Sequence, residues 1–267
     1  MAHVASEIRG NVGILLFNNP DGGFLTSEMV SEAMEKLDAL RADDNVRTIV
    51  FTGALEDVFI RHFSVEEIIA MASALRENNA AGVAPERFAL SALRAFWEKV
   101  DNCPKPTIAA INGVCGGGGC ELALACDIRL AAKGQYTIGQ MEILVGILPG
   151  AGGTVRLSRL VGPGKALEWV LRGKTFYPEE AAEHGLVNQL VEGDVLEAAL
   201  DMAKEFDDKP PRALASIKQA VRGSWGKSTL DGVLEEGDLF GDLIATDDQA
   251  VEMMENYVNN GHKFEKI

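Results

Sequence analysis

Hydrophobic positions along the chain alternate between strand-length runs and helical spacings. Asn11–Asn18 (NVGILLFN) is an apolar run closed by the turn formers Asn19-Pro20-Asp21-Gly22-Gly23, which predicts a strand and a turn. Ser27 is placed to cap a helix to about Arg41, with Met29, Val30, Ala33, Met34, Leu37 and Leu40 at helical spacing. Arg47–Gly53 (RTIVFTG) predicts a fully buried strand, and Val65–Glu77 a helix broken by Asn78-Asn79-Ala80-Ala81-Gly82. Another helix is expected over Pro85–Val100, a strand over Thr107–Ile111, a short helix at Cys120–Cys126 and a strand at Asp127–Ala132. From Thr154 onward the pattern is mainly helical, with one strand at Leu186–Val191.

Strand, helix and glycine turn alternating through the first half is the signature of an α/β fold with parallel strands. The segment from about Ala198 to Lys266 has helical periodicity and no strand. The expected division is therefore an α/β core over 1–197 and a helical region over 198–267. The helical region carries Leu234, Leu239, Phe240, Leu243, Ile244 and Met253 but forms no core of its own, so it must pack on the body or on another subunit.

At 267 residues, 47% hydrophobic and 24% charged, the chain suits an ordinary globular protein. No run approaches the roughly 20 apolar residues needed to span a bilayer, so no membrane association is expected. Met1–Asn11 lacks the features of a signal or transit peptide, which makes a cytoplasmic location the expectation. The net charge of −15 argues against nucleic acid as a partner. Cys103, Cys115, Cys120 and Cys126 form no CxxC pair and have no nearby His, so they read as buried thiols and no metal site is expected.

The chemistry concentrates in Lys105–Asp127, KPTIAAINGVCGGGGCELALACD. An apolar strand ends at Asn112-Gly113, and Gly116, Gly117, Gly118 and Gly119 run straight into a helix. Consecutive glycines let a ligand approach the backbone, and a helix start offers unpaired N–H groups with partial positive charge. That combination suits an oxygen that develops negative charge. Glu121 lies in the first helical turn among apolar neighbours, where a carboxylate is costly without a partner or a task. Glu142 occupies a similar setting, followed by the turn Pro149-Gly150-Ala151-Gly152-Gly153-Thr154. Two such carboxylates beside a glycine-built anion hole point to acid/base chemistry on a carbonyl compound. Nucleotide motifs fail: Gly173-Lys174-Thr175 and Gly226-Lys227-Ser228 lack the upstream glycine of a P-loop, having Glu168 and Val221 there. A GxSxG elbow is also absent.

These segments resemble the crotonase (enoyl-CoA hydratase/isomerase) family. Lys105–Asp127 is similar to its KPxIAAxNGxxxGGGxELxxxCD hallmark. Gly139–Arg159 (GQMEILVGILPGAGGTVRLSR) resembles the second hallmark, with Met141 where the family has Pro. Leu171–Val187 (LRGKTFYPEEAAEHGLV) resembles a third. The resemblance runs from about residue 10 to the C-terminus. It implies a crotonase-like spiral of ββα units, a helical C-terminal trimerisation region, and assembly as a homotrimer or hexamer. It also implies a coenzyme A thioester substrate whose carbonyl oxygen is held by two backbone N–H groups, of which Gly118 supplies one.

The second N–H falls where this chain departs from the family. Against a pattern resembling F-S-A-G-A-D-L, Phe59–Val65 reads FIRHFSV, so His62 replaces Gly, Phe63 occupies the donor position and Ser64 replaces Asp. A backbone donor tolerates the change, while a ring there alters which acyl group fits. Gly22-Gly23-Phe24-Leu25 likewise differs from the family's NALN. The resemblance further implies Glu142 as the donor of a proton to the α-carbon and Glu121 as the group that activates water. The phosphates of coenzyme A need cations, for which Arg61, beside this loop, and Lys263, where the family often places a coenzyme-contacting Lys, are the candidates. His62 and Gly117 are further expected substrate contacts, and no metal or redox cofactor is required. Hydration of a 2-enoyl thioester is the leading expectation. Enoyl-CoA isomerisation, acyl-CoA hydrolysis and a non-catalytic binding role on the same fold are the alternatives.

Overall fold

The computed structural model describes residues 3–77 and 92–263. A six-stranded sheet has the order β1-β2-β3-β5-β7-β10, built from Val4–Arg9, Val12–Phe17, Thr48–Gly53, Thr107–Ile111, Ile128–Ala132 and Gln189–Val191. A four-stranded sheet has the order β4-β6-β8-β9, from Asp57–Ile60, Gly113–Gly116, Ile138–Gly139 and Thr175–Phe176. Pairing is parallel except for β1 with β2 and β8 with β9.

The spiral arises because each turn of chain gives one strand to each sheet and then a helix. β3 and β4 lead into α1's successor α2 (Val65–Glu77), α1 itself being Ser27–Ala42, and then into α3 (Ala92–Asp101). β5 and β6 precede α4 (Gly118–Ala125), and β7 and β8 precede a 3-10 turn (Glu142–Val145) and α5 (Gly153–Val161). Asn112 pins one corner between the sheets: its Oδ1 accepts from Gly53 N at 3.0 Å and its Nδ2 donates to Leu55 O at 2.9 Å.

Strand alternation divides the apolar residues between two cores. Leu15, Phe17, Ile49, Phe51, Ala109 and Ile111 face the larger one, with α1, α3 and α4. Ile14, Val50, Ile108, Ala110 and Leu130 face the other, covered by Val195, Ala199, Leu200 and Ala203 of α8 (Val195–Lys204). α6 (Pro163–Arg172) and α7 (Pro178–Glu183) intervene before β10.

Several expectations need correction. The cap of α1 is Thr26, whose side chain accepts from Met29 N, and Ser27 is already helical. The helix expected at Cys120 begins two residues earlier, at Gly118, so the glycine run is partly inside it. Strands β1, β4, β6, β8 and β9 were not expected: four are short or glycine-rich, and β1 (VASEIR) is mostly exposed. The break at 78–82 and the first part of the Pro85–Val100 helix lie outside the described residues. α8 runs across position 197/198 and packs on the sheet.

Beyond it, α9 (Pro211–Gly223), α10 (Thr229–Thr246) and α11 (Asp248–Asn259) contain no buried residue. They expose Leu230, Val233, Leu234, Phe240 and Ile244. Among the described residues no helix is long and apolar enough to cross a membrane.

Candidate active site

A cavity of about 780 Å³ opens where the second sheet delivers its strands to α2, α4 and the 3-10 turn. Val65, Ile68, Ala72 and Leu75 of α2 form one wall, and Leu144, Val145, Ile147 and Leu148 the other. Its inner end carries His62, Phe63, Gly117, Gly118, Glu121 and Glu142.

Gly117 sits at φ 44° and ψ −119°, the turn that releases the chain from β6 into α4. A Cβ there would lie 3.2 Å from Glu142 Oε1 and 3.3 Å from His62 Cβ, so glycine serves both the conformation and the close approach. A Cβ on Gly118 would be 3.5 Å from Phe63 N, which puts the two backbones side by side. Leu25 binds the flanks of the Phe63 segment: Leu25 N donates to His62 O and Ser64 N donates to Leu25 O, both at 2.8 Å. That leaves Phe63 N–H turned the other way. Among the described residues neither Phe63 N–H nor Gly118 N–H donates to a protein acceptor. The Gly118 N–H also belongs to the positive end of α4.

The two carboxylates are held by different means. Glu121 is 3% exposed, and its Oε1 accepts from Ala151 N and Gly153 N, both at 2.8 Å. Burial raises its carboxyl above the ordinary range, and the two backbone donors and Arg156 oppose that rise. Glu142 is half-buried at the start of the 3-10 turn. The Gln140 amide, turned with its nitrogen toward Glu142, donates to Oε1 at 2.8 Å and Oε2 at 3.1 Å. Burial first, and then the charge of Glu121, push Glu142 up to about 7. The site thus holds one carboxylate clamped by N–H donors and another balanced between its two protonation states near neutral pH.

His62 is fixed by a Nδ1–H bond to Phe63 O at 2.7 Å and by the Phe24 ring at 4.7 Å. A carbonyl can only accept, so the contact assigns the proton to Nδ1 and leaves Nε2 as an acceptor in the neutral ring. Met141 has φ −117°, a value closed to the proline that the family hallmark carries at this position.

Residues 7–266 match the enoyl-CoA hydratase/isomerase family. The chain belongs to that family. It is 32% identical over 249 residues to the short-chain-enoyl-CoA hydratase of Clostridium acetobutylicum, covering 92% of this chain and 91% of that one. It is 34% identical over 253 residues to the human mitochondrial methylglutaconyl-CoA hydratase, covering 92% and 71%. The crystal structure of an enoyl-CoA hydratase from Bacillus anthracis superposes with a TM-score of 0.83 at 30% identity, covering 97% and 96%.

Six of the eight site residues expected from sequence meet at the cavity. Arg61 and Lys263 do not line it. Arg61 is exposed, with Nε donating to Gly22 O at 2.9 Å and its guanidinium 5.9 Å from the Phe24 ring, and Lys263 is exposed beyond α11. Sequence reasoning missed Gln140, the N–H donors of Ala151 and Gly153, and the α2 wall. The wall had a signal in the helical spacing of Val65, Ile68, Ala72 and Leu75, all on one face. The backbone donors had none. All four cysteines are buried and free.

Proposed function

We propose that this protein hydrates 2-enoyl-CoA thioesters, with Glu121 and Glu142 as its acid/base pair. The reading is carried by one arrangement: two differently held carboxylates share an apolar cavity with two backbone N–H groups that have no protein acceptor. The thioester oxygen accepts from Phe63 N–H and Gly118 N–H, which stabilise the charge it gains as the enolate forms. Ionised Glu121 takes a proton from water as the water oxygen bonds to the β-carbon. Neutral Glu142 gives its proton to the α-carbon, and the product is the 3-hydroxyacyl thioester. Glu121 ends protonated and Glu142 ionised, and a proton passes between them or through solvent before the next turnover. No redox change occurs, so no redox cofactor enters. The acyl chain lies along the apolar walls. Arg61 and Lys263 are cations offered to the phosphates of coenzyme A, and the exposed apolar residues of α10 and α11 are covered in a homotrimer or hexamer.

The test is incubation with 2-enoyl-CoA thioesters of graded length, followed by mass spectrometry. Hydration adds the mass of one water and keeps the thioester. A shifted double bond without added mass would make the protein an isomerase. Release of free coenzyme A, seen with a thiol reagent, would make it a hydrolase.

A further inference from the structure

Glu121 takes its orientation from the Ala151–Gly153 turn, and that turn is held in its own right. Arg156 of α5 donates from Nη1 to Ala151 O at 2.6 Å, and its backbone N donates to Gly152 O at 2.9 Å. Gly152 is at φ 99°, and a Cβ there would meet Arg156 Nη1 at 2.3 Å, so the guanidinium lies close against the turn. The other edge of the guanidinium pairs with Asp101 at the end of α3, Nε donating at 3.0 Å and 3.2 Å and Nη2 donating to the same carboxylate. Asp101 is shared with Arg222 of α9. Arg222 donates to Ala125 O, at the end of the helix that carries Glu121, at 2.8 Å, and to Asp127 at 2.9 Å. Arg156 keeps only 11% of its side-chain exposure and Asp101 21%, so the pair is shielded from solvent competition.

We infer that Arg156, anchored by Asp101, is a positioning residue for Glu121: it fixes the turn whose two N–H groups aim the carboxylate. The inference rests on the hydratase reading. Its geometry is selective, because the guanidinium fork holds a carbonyl on one edge and a carboxylate on the other, which an ammonium cannot do. The positive charge also favours the ionised form of Glu121 against its burial. Glu142 lines the same cavity and is itself raised by the charge of Glu121, and His62 is the remaining titratable group among the lining residues.

The test is steady-state kinetics against pH for Arg156→Gln, Arg156→Lys and Asp101→Asn, on a 2-enoyl-CoA thioester that the wild type hydrates. Glu121 must be ionised to act as base, so kcat rises with pH through its titration. Arg156→Gln is expected to lower kcat by about 10²-fold, the order that a misplaced catalytic group costs, with KM little changed. Its acid limb should move to higher pH. Arg156→Lys keeps the charge and loses the fork, so kcat falls less and the acid limb stays near that of the wild type. Asp101→Asn should lower kcat without abolishing it. Unchanged kcat and acid limb in Arg156→Gln would overturn the inference. So would losses of kcat and thioester affinity in step with no movement of the limb, since those mark a purely structural role. If Arg156→Gln fails to fold, Arg156→Lys decides, and full activity there refutes positioning by the fork. A wild type that hydrates nothing sinks the hydratase reading instead. Arg156 is then judged by whether the carbon-13 titration of the Glu121 carboxyl moves upward in Arg156→Gln.

Discussion

Glu142 is raised from 4.5 to about 7, by burial first and by the charge of Glu121 second. At pH 7 a carboxyl at 4.5 keeps its proton in about one molecule in 300, whereas one at about 7 keeps it in half. The cavity therefore enriches the proton-donating form roughly 150-fold, equivalent to ~3 kcal/mol. In the proposed mechanism Glu142 is the proton donor and works protonated, so activity is expected below this titration and is lost above it. kcat/KM should fall about tenfold per pH unit on a basic limb that starts near pH 7. Glu121→Gln removes the second cause and leaves the first, so Glu142 should titrate lower than in the wild type but still above an ordinary carboxyl. That variant also loses the proposed base, at about 10²–10⁴-fold in rate, so the limb is followed on residual activity and by the carbon-13 shift of the Glu142 carboxyl. The reasoning fails if the wild-type basic limb lies at ordinary carboxylate pH, or if Glu121→Gln moves the Glu142 titration upward.

A carboxyl raised in the folded state costs stability as pH rises from its unfolded value through about 7. Glu142→Gln should therefore match the wild type at pH 4 and exceed it at pH 8 by no more than about 3 kcal/mol, read from urea unfolding, while losing turnover; equal stability at pH 8 would refute the burial cost. Phe63→Ala keeps the backbone N–H and removes the ring of a cavity-lining residue. It should shift the kcat/KM ratio of β-branched to linear enoyl thioesters upward by about tenfold, and an unchanged ratio would remove Phe63 from specificity. Light scattering at micromolar concentration should give a trimer or hexamer, and a monomer would leave the apolar surface of α10 and α11 without its cover.

The larger strands and helices were legible because each carries a full period of its pattern. β3 (TIVFTG) and β5 (TIAAI) carry the apolar runs Ile49–Phe51 and Ile108–Ile111, and α1 repeats Met29, Val30, Ala33, Leu37 and Leu40 on one face. The second sheet was not, because its strands are set by where the chain must turn between layers. β8 has two residues and β6 is half glycine, so neither shows a period. The extent of the helices that pack on the first sheet was hidden for a related reason. α8 has the same helical pattern as α9, and only its docking against Ile108, Ala110 and Leu130 makes it part of the core.

At the site, sequence exposed the residues whose identity the backbone demands and hid those whose role depends on distant partners. Gly117 must be glycine for its φ and for the nearness of Glu142 Oε1, and an apolar run around Glu121 is conspicuous in any sequence. Asp101 and Arg156 are 55 residues apart, and Arg222 reaches Asp101 from 121 residues away, separations at which no local pattern links them. Yet these distant groups bear on the difference between the carboxylates. Glu121 has N–H donors, themselves braced by Arg156, while Glu142 has one amide and a neighbouring negative charge. In the proposed mechanism base and acid are thus separated by what surrounds each carboxyl rather than by residue type.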